Sequence, residues 1–259
     1  MGFIFYKYQG TGNDFVMVDN REGGFPKDDT DFIGGLCDRR FGVGADGLIL
    51  LEDEPGYDFR MVYYNADGNE STMCGNGGRC IVAFAGFLGI IKNDTRFMAV
   101  DGVHRATLGD GKVKLQMTDV DRVDVFDNYV FLDTGSPHHV QEVQEIDRFD
   151  VKLQGAKLRY GKYGKAGSNI NFVSKVDDAV FKVRTYERGV EDETFSCGTG
   201  VTAVAIAMHR TGKTKGNTVT LQTPGGVLRV YFDEEGGQYR NIFLEGPAKK
   251  VFRGEVDRV

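Results

Sequence analysis

Four cysteines occur in the 259 residues, and two of them stand in nearly the same local sequence. Thr72-Met73-Cys74-Gly75-Asn76-Gly77-Gly78 and Phe195-Ser196-Cys197-Gly198-Thr199-Gly200-Val201 each set a thiol before a Gly-x-Gly run, 123 positions apart. After Cys197, the residues Val201, Val204, Ala205 and Met208 recur at helical spacing. The positions 123 earlier, Gly78, Ile81, Val82 and Ala85, repeat the stripe. Each thiol is therefore expected at the start of a helix. There, N–H groups without helical acceptors and the positive end of the dipole lower a thiol pKa. The same N–H groups can hold a carboxylate, and Gly75, Gly77, Gly198 and Gly200 let a ligand approach the backbone. Two such helix starts converging on one ligand would set its α-carbon between two sulfurs. One thiolate would remove the proton and the opposite thiol would return one to the other face. Inversion of a stereocentre needs that acid and base pair.

The remaining candidates are weaker. Cys37 and Cys80 read as small buried hydrophobes, Cys80 on the packing side of the first helix. No pair has C-x-x-C spacing, and with four histidines a structural zinc site is not expected. His138 and His139 are adjacent, so on a strand they face opposite ways; a joint metal site is not expected, though either one could serve a site. Gly42-Val43-Gly44-Ala45-Asp46-Gly47 lacks a following helix pattern and reads as a turn entering a strand at Leu48 to Leu51. Neither a P-loop nor a dinucleotide fingerprint is present.

The 123-residue offset aligns further landmarks. Thr11-Gly12 falls on Thr134-Gly135, Asn13 on Ser136, and Gly44-Ala45-Asp46 on Gly167-Ser168-Asn169. Such coincidences near half the chain length indicate a duplication. Strand patterns precede both cysteines, at Phe59 to Tyr64 and Val180 to Tyr186. Short strands follow at Val113 to Met117, Val219 to Leu221, Val227 to Phe232 and Ile242 to Leu244. The expected fold class is α+β, with two pseudo-symmetric domains, each of strands wrapped around one central helix. A hinge near Thr118 to Val123 gives a first domain of 1–117 plus 247–259 and a second of 118–246.

Composition excludes several function classes. A formal net charge of −6 without a dense basic run argues against nucleic acid and anionic membrane as partners. No stretch has the apolar length of a membrane helix, and the N-terminal apolar stretch is too short for a signal peptide. A cytoplasmic location is expected, with free thiols.

The sequence resembles the diaminopimelate epimerase family along nearly its whole length. The resemblance is carried by Gly10-Thr11-Gly12-Asn13-Asp14-Phe15, Asp38-Arg39-Arg40-Phe41-Gly42-Val43-Gly44-Ala45-Asp46 and Tyr64-Asn65-Ala66-Asp67-Gly68. Both cysteine loops, Gly135-Ser136-Pro137-His138, Asn169-Ile170-Asn171-Phe172 and Tyr186-Glu187-Arg188-Gly189 add to it, as do Pro224-Gly225-Gly226 and Gly246-Pro247-Ala248. The resemblance implies interconversion of LL- and meso-diaminopimelate, in lysine and peptidoglycan precursor synthesis, without pyridoxal phosphate or metal. It implies an active site in the interdomain cleft, a small-molecule substrate and a homodimer. Cys74 and Cys197 take the acid/base roles, and backbone N–H groups of Gly75, Asn76, Gly198 and Thr199 the reacting carboxylate. Asn13, Asn65, Asn169 and Arg188 match substrate binders, with Asn65 and Asn169 expected at matching places in the two halves. His138 and Glu187 match positions near the reacting centre. The chain departs from the family pattern at Gly47 (often Gln), Ser136 (often Asn) and Phe252 (often Tyr).

Two other readings stay open at this point. A proline-type racemase would not need the Asn13, Asn65, Asn169 and Arg188 set. A carboxylate-binding module without catalysis would not need two thiols.

Overall fold

The computed structural model describes residues 2–257; residues 1, 258 and 259, at the ends of the expected first domain, lie outside the described residues. The chain divides into two compact units, Met1–Leu115 with Gly246–Val259, and Gln116–Glu245.

The first unit runs β1 (Phe3–Gly10), β2 (Asn13–Asp19), α1 (Thr30–Cys37), β3 (Gly47–Glu52), β4 (Arg60–Asn65), the short β5 (Glu70–Ser71), α2 (Gly75–Phe87), β6 (Asp94–Ala99), β7 (Gly102–Gly109) and β8 (Lys112–Gln116). The second runs β9 (Val123–Val125), β10 (Val130–Asp133), β11 (Pro137–Glu142), α3 (Val151–Gly161), β12 (Asn169–Asp177), β13 (Val180–Glu187), β14 (Asp192–Thr194), α4 (Gly198–Arg210), β15 (Thr218–Thr223), β16 (Gly226–Glu235) and β17 (Gln238–Pro247). A last strand, β18 (Lys249–Val256), pairs antiparallel with β1.

The two units repeat one topology. In the first, β1 and β2 are antiparallel, β2 and β3 parallel, β3 and β4 antiparallel, and β4 and β6 parallel. In the second, β10 and β11, β11 and β12, β12 and β13, and β13 and β15 follow the same alternation. Hairpins complete both series. The duplication seen in the spacing of the cysteines is thus a duplication of strand order, and the α+β class holds.

Each unit encloses its cysteine-headed helix. Helix α2 touches β1, β2, β3, β7 and β18, and α4 touches β10 to β13, β15 and β16. Both are buried on nearly every side, from Gly75 to Val82 and from Gly200 to Met208, as a helix made of small and apolar residues all round must be.

Each unit has its one central helix, α2 or α4, as expected, and carries in addition a peripheral helix, α1 or α3, that the sequence reading did not include. The parallel pairs β2/β3 and β11/β12 require a crossover, and these helices supply it. Each begins at an aspartate cap, with Phe32 N–H donating to Asp29 and Leu153 N–H donating to Asp150, both at 3.0 Å. No helix among the described residues is long and apolar enough to cross a membrane.

Candidate active site

In the first unit the tight turn at Thr11 (φ 52°) and Gly12 (φ 90°) joins β1 to β2 and sets Asn13 at the start of β2. Cys74 is the extended N-cap of α2, and its Sγ accepts the N–H of Gly77 at 3.2 Å. The sulfur thus takes the place of a capping oxygen, on a helix dipole that favours negative charge there. Asn13 Oδ1 lies 3.9 Å from Cys74 Sγ and accepts from Asn76 Nδ2 at 3.4 Å. Asn13 Nδ2 donates to Asp46 at 2.5 Å. Arg39 ties Asp46 to Asp14, which Lys7 also meets at 2.8 Å. Burial works to raise the Asp14 pKa, but hydrogen bonds from Arg39 and Lys7 outweigh it and hold the carboxyl down at about 2.

Asn65 ends β4 opposite Gly47, in a turn closed by Gly68 N–H donating to its carbonyl at 2.9 Å. A β-carbon at Gly47 would lie 2.4 Å from the Tyr64 carbonyl oxygen and 2.6 Å from the ring of Tyr63. Strand β4 and the Tyr63 ring therefore occupy the space that a larger residue at 47 would need.

In the second unit Cys197 is the extended N-cap of α4, without a side-chain capping bond; its Sγ lies 3.4 Å from Thr199 Oγ1. Thr134 fixes the loop by donating to the Thr199 carbonyl at 3.0 Å. Gly200 faces Asn171: a β-carbon there would lie 2.5 Å from Asn171 Oδ1 and 3.3 Å from Cys197 Sγ.

Asn171 determines the state of His138. Its Nδ2 donates to the His139 carbonyl at 3.0 Å, which fixes the amide orientation, because a carbonyl can only accept. The same Nδ2 lies 3.1 Å from His138 Nδ1, so that nitrogen accepts and the proton of the neutral ring belongs on Nε2. Burial, reinforced by the charge of Arg188, pushes the His138 pKa down to about 3, so the ring is neutral. Its Nε2 is buried with no protein partner.

Asn169 Oδ1 accepts the backbone N–H of Arg188 at 2.8 Å, while its Nδ2 donates to Ser136 Oγ at 3.0 Å. The Arg188 guanidinium reaches the Ala166 carbonyl at 3.0 Å and Ser136 Oγ at 3.4 Å. Ser136 therefore serves both groups despite its short side chain. Glu187 accepts from Thr194 Oγ1 at 3.0 Å, on the strand leading to Cys197.

The sequence candidates thus gather as Asn13, Cys74, Gly75 and Asn76 in one unit, and as His138, Asn169, Glu187, Arg188, Cys197, Gly198 and Thr199 in the other. Asn65 and Asn169 do not occupy matching places. Asn65 lies on β4, whereas Asn169 lies on β12, the counterpart of β3; the register sets His138 beside Asn169 where the first unit has Phe15 beside Gly47. Asn171, Arg79 and Asp46 went unrecognised. A polar residue inside an apolar run was the available signal for Asn171 and Arg79, since each needs partners once buried. Among the described residues no group of three or more His, Cys, Asp or Glu could hold a metal ion.

Two cysteine-headed helices, each enclosed by the same strand order, define a fold shared with known proteins. A solved Bacillus anthracis structure described as a phenazine biosynthesis protein of the PhzF family matches with a TM-score of 0.80, covering 100% of both chains at 14% identity. Sequence narrows the class further. The family model described as diaminopimelate epimerase matches residues 5–123 and 130–251. A Flavobacterium psychrophilum protein named diaminopimelate epimerase is 62% identical, covering 97% of this chain and 99% of the relative. A Chlorobaculum tepidum protein of the same name is 42% identical over 95% and 98%. The chain belongs to the diaminopimelate epimerase family.

Proposed function

We propose that this chain, an epimerase by family, converts LL-2,6-diaminopimelate to meso-diaminopimelate with Cys74 and Cys197 as the two acid/base groups. The observation that carries the reading is the repeated placement of a thiol as N-cap of an enclosed helix, once in each copy of one topology. A second thiol in an equivalent position has no use in a plain carboxylate-binding module. It is what inversion demands.

In the LL-to-meso direction, one thiolate takes the α-proton and becomes a thiol. The opposite thiol protonates the other face and becomes a thiolate. Atoms and charge balance, and the sulfurs exchange protonation states with each turnover. Helix-start N–H groups at Gly75, Asn76, Gly198 and Thr199 hold the reacting carboxylate, whose charge builds up further as the carbanion forms. Neutral His138, with its proton on the buried Nε2, donates near the reacting centre, and Glu187 accepts there. Asn13, Asn65, Asn169 and Arg188 bind the rest of the substrate.

The same reading gives each thiol its own domain, 1–117 with 247–259 and 118–246. It places the enzyme in the cytoplasm, as a homodimer acting on a small molecule, in lysine and peptidoglycan precursor synthesis. No cofactor takes part. Incubating purified protein with LL-diaminopimelate, followed by chiral separation, tests the proposal: meso product is expected from the unsubstituted protein. Its absence, or near-normal product from Cys74→Ala or Cys197→Ala, contradicts the two-thiol scheme.

A further inference from the structure

Arg79 is fully buried in α2, one turn beyond Cys74. Its Nη1 donates to the Gly75 carbonyl at 3.2 Å, and its Nη2 to Asn76 Oδ1 at 2.9 Å and Thr11 Oγ1 at 3.0 Å. Its Nε has no partner. Every acceptor that it has is neutral, and each belongs to the Cys74 loop or to the turn that presents Asn13. Burial pulls its pKa down to about 10, so it stays charged at neutral pH, and the ionisable groups beside it are the thiols of Cys80 and Cys74.

A buried cation without an anion is costly, and removing water from it gains nothing unless a counter-charge arrives. The carboxylates around the loop are already engaged. Asp14 pairs with Lys7 and Arg39 from the strands and the α1–β3 loop, and Asp46 pairs with the same Arg39. Asp101 pairs with His104 on the β6–β7 side. Cys80, on the same helix, has its thiol pushed up to about 12 by burial and carries no charge at neutral pH.

We propose that Arg79 is a positioning residue that holds an unbalanced positive charge behind the Cys74 loop, offset during turnover by the Cys74 thiolate and the carboxylate of the bound amino acid, while it locks Asn76 against Asn13. This rests on the reading of Cys74 as an acid/base thiol. The guanidinium acts through field and through Asn76, not by touching substrate. Its two roles are separable, because lysine keeps the charge and loses the fork.

The test is the pH dependence of Cys74 alkylation by iodoacetamide, followed by peptide mass mapping, together with kcat and KM for diaminopimelate. Arg79→Gln removes charge and fork; Arg79→Met, which keeps the apolar stem, replaces it if the first variant does not fold. In either, the alkylation midpoint is expected to rise by about one pH unit, as for a thiolate that loses a nearby cation. In Arg79→Lys the midpoint is expected to stay near that of the unsubstituted protein, while kcat/KM falls about tenfold. Equal midpoints in all the proteins, accompanied only by lower thermal stability, overturn the proposal and leave Arg79 as a packing residue. Alkylation needs no turnover, so a failure of the epimerase reading, seen as no product from the unsubstituted protein, is distinguishable from a failure of the Arg79 proposal.

Discussion

Asn169 Oδ1 accepts the backbone N–H of Arg188 at 2.8 Å, and both side chains converge on Ser136 Oγ. The guanidinium is exposed and directed by neutral acceptors, and among the described residues no carboxylate pairs with it. A surface ion pair therefore does not explain it; under the proposed function, the planar fork of arginine is read as the partner of a distal substrate carboxylate. Arg188→Met is expected to raise KM for diaminopimelate roughly ten- to a hundredfold, the worth of hydrogen bonds to a charged group. Lysine, which lacks the distal carboxylate, is expected to be a poor substrate of the unsubstituted protein. Comparable kcat/KM for lysine and diaminopimelate contradicts this role for Arg188.

The four thiols should differ in reactivity. Burial pushes Cys37 up to about 11 and Cys80 up to about 12, whereas Cys74 is half-exposed at a helix start. At pH 8, iodoacetamide is expected to label Cys74 and to inactivate the protein while Cys37 and Cys80 stay unmodified. Peptide mapping that finds Cys80 labelled as fast as Cys74 contradicts the assignment.

How much of this was legible in the sequence depends on how rare the signal was. Helices α2 and α4 were readable because a scarce residue, cysteine, heads an apolar stripe twice. Helix α1 was not, since Gly34 and Gly35 sit in its middle. In α3 the few buried residues, Val151, Gly155 and Arg159, are too weak a stripe to see among polar neighbours. Their aspartate caps were the overlooked signs. Asn171 and Arg79 were hidden for a different reason. A single polar residue in an apolar run looks like noise until the fold shows which loops it holds, and those partners lie 32 and 68 positions away in sequence.

Stability should fall on mild acidification. Burial pulls the pKa of His138 down to about 3 and that of His139 down to about 4, from an ordinary value near 6.5. Between pH 6.5 and 4 the unfolded chain binds protons that the folded chain refuses, so stability present at pH 7 is lost as pH drops through this window. The slope reaches at most about 1.4 kcal/mol per pH unit for each ring. Asp14, held at about 2 in the fold, contributes its loss only below the ordinary carboxylate range. Urea midpoints at pH 7 and pH 5 check this; an unchanged midpoint contradicts the neutral, buried state of the two histidines.

Gly200 has no room for a side chain, because its β-carbon would lie 2.5 Å from Asn171 Oδ1. Gly200→Ala is expected to displace Asn171, release the hydrogen bond to His138 and disturb Cys197. A loss of about 1–3 kcal/mol in stability is expected from such overpacking, with a larger fall in kcat than in thermal midpoint would suggest. Full activity in a stable Gly200→Ala protein contradicts the link from α4 through Asn171 to His138.

The most direct measurement is epimerisation of LL-diaminopimelate in heavy water, with the products separated by stereochemistry and weighed. A base on one face and a separate acid on the other deliver a solvent-derived proton to the inverted carbon. The meso product formed at early times is therefore expected to carry one deuterium at the inverted centre, while the unreacted LL-isomer stays largely unlabelled. Meso product without deuterium, or LL-substrate that gains deuterium as fast as it is inverted, contradicts the two-thiol mechanism at Cys74 and Cys197.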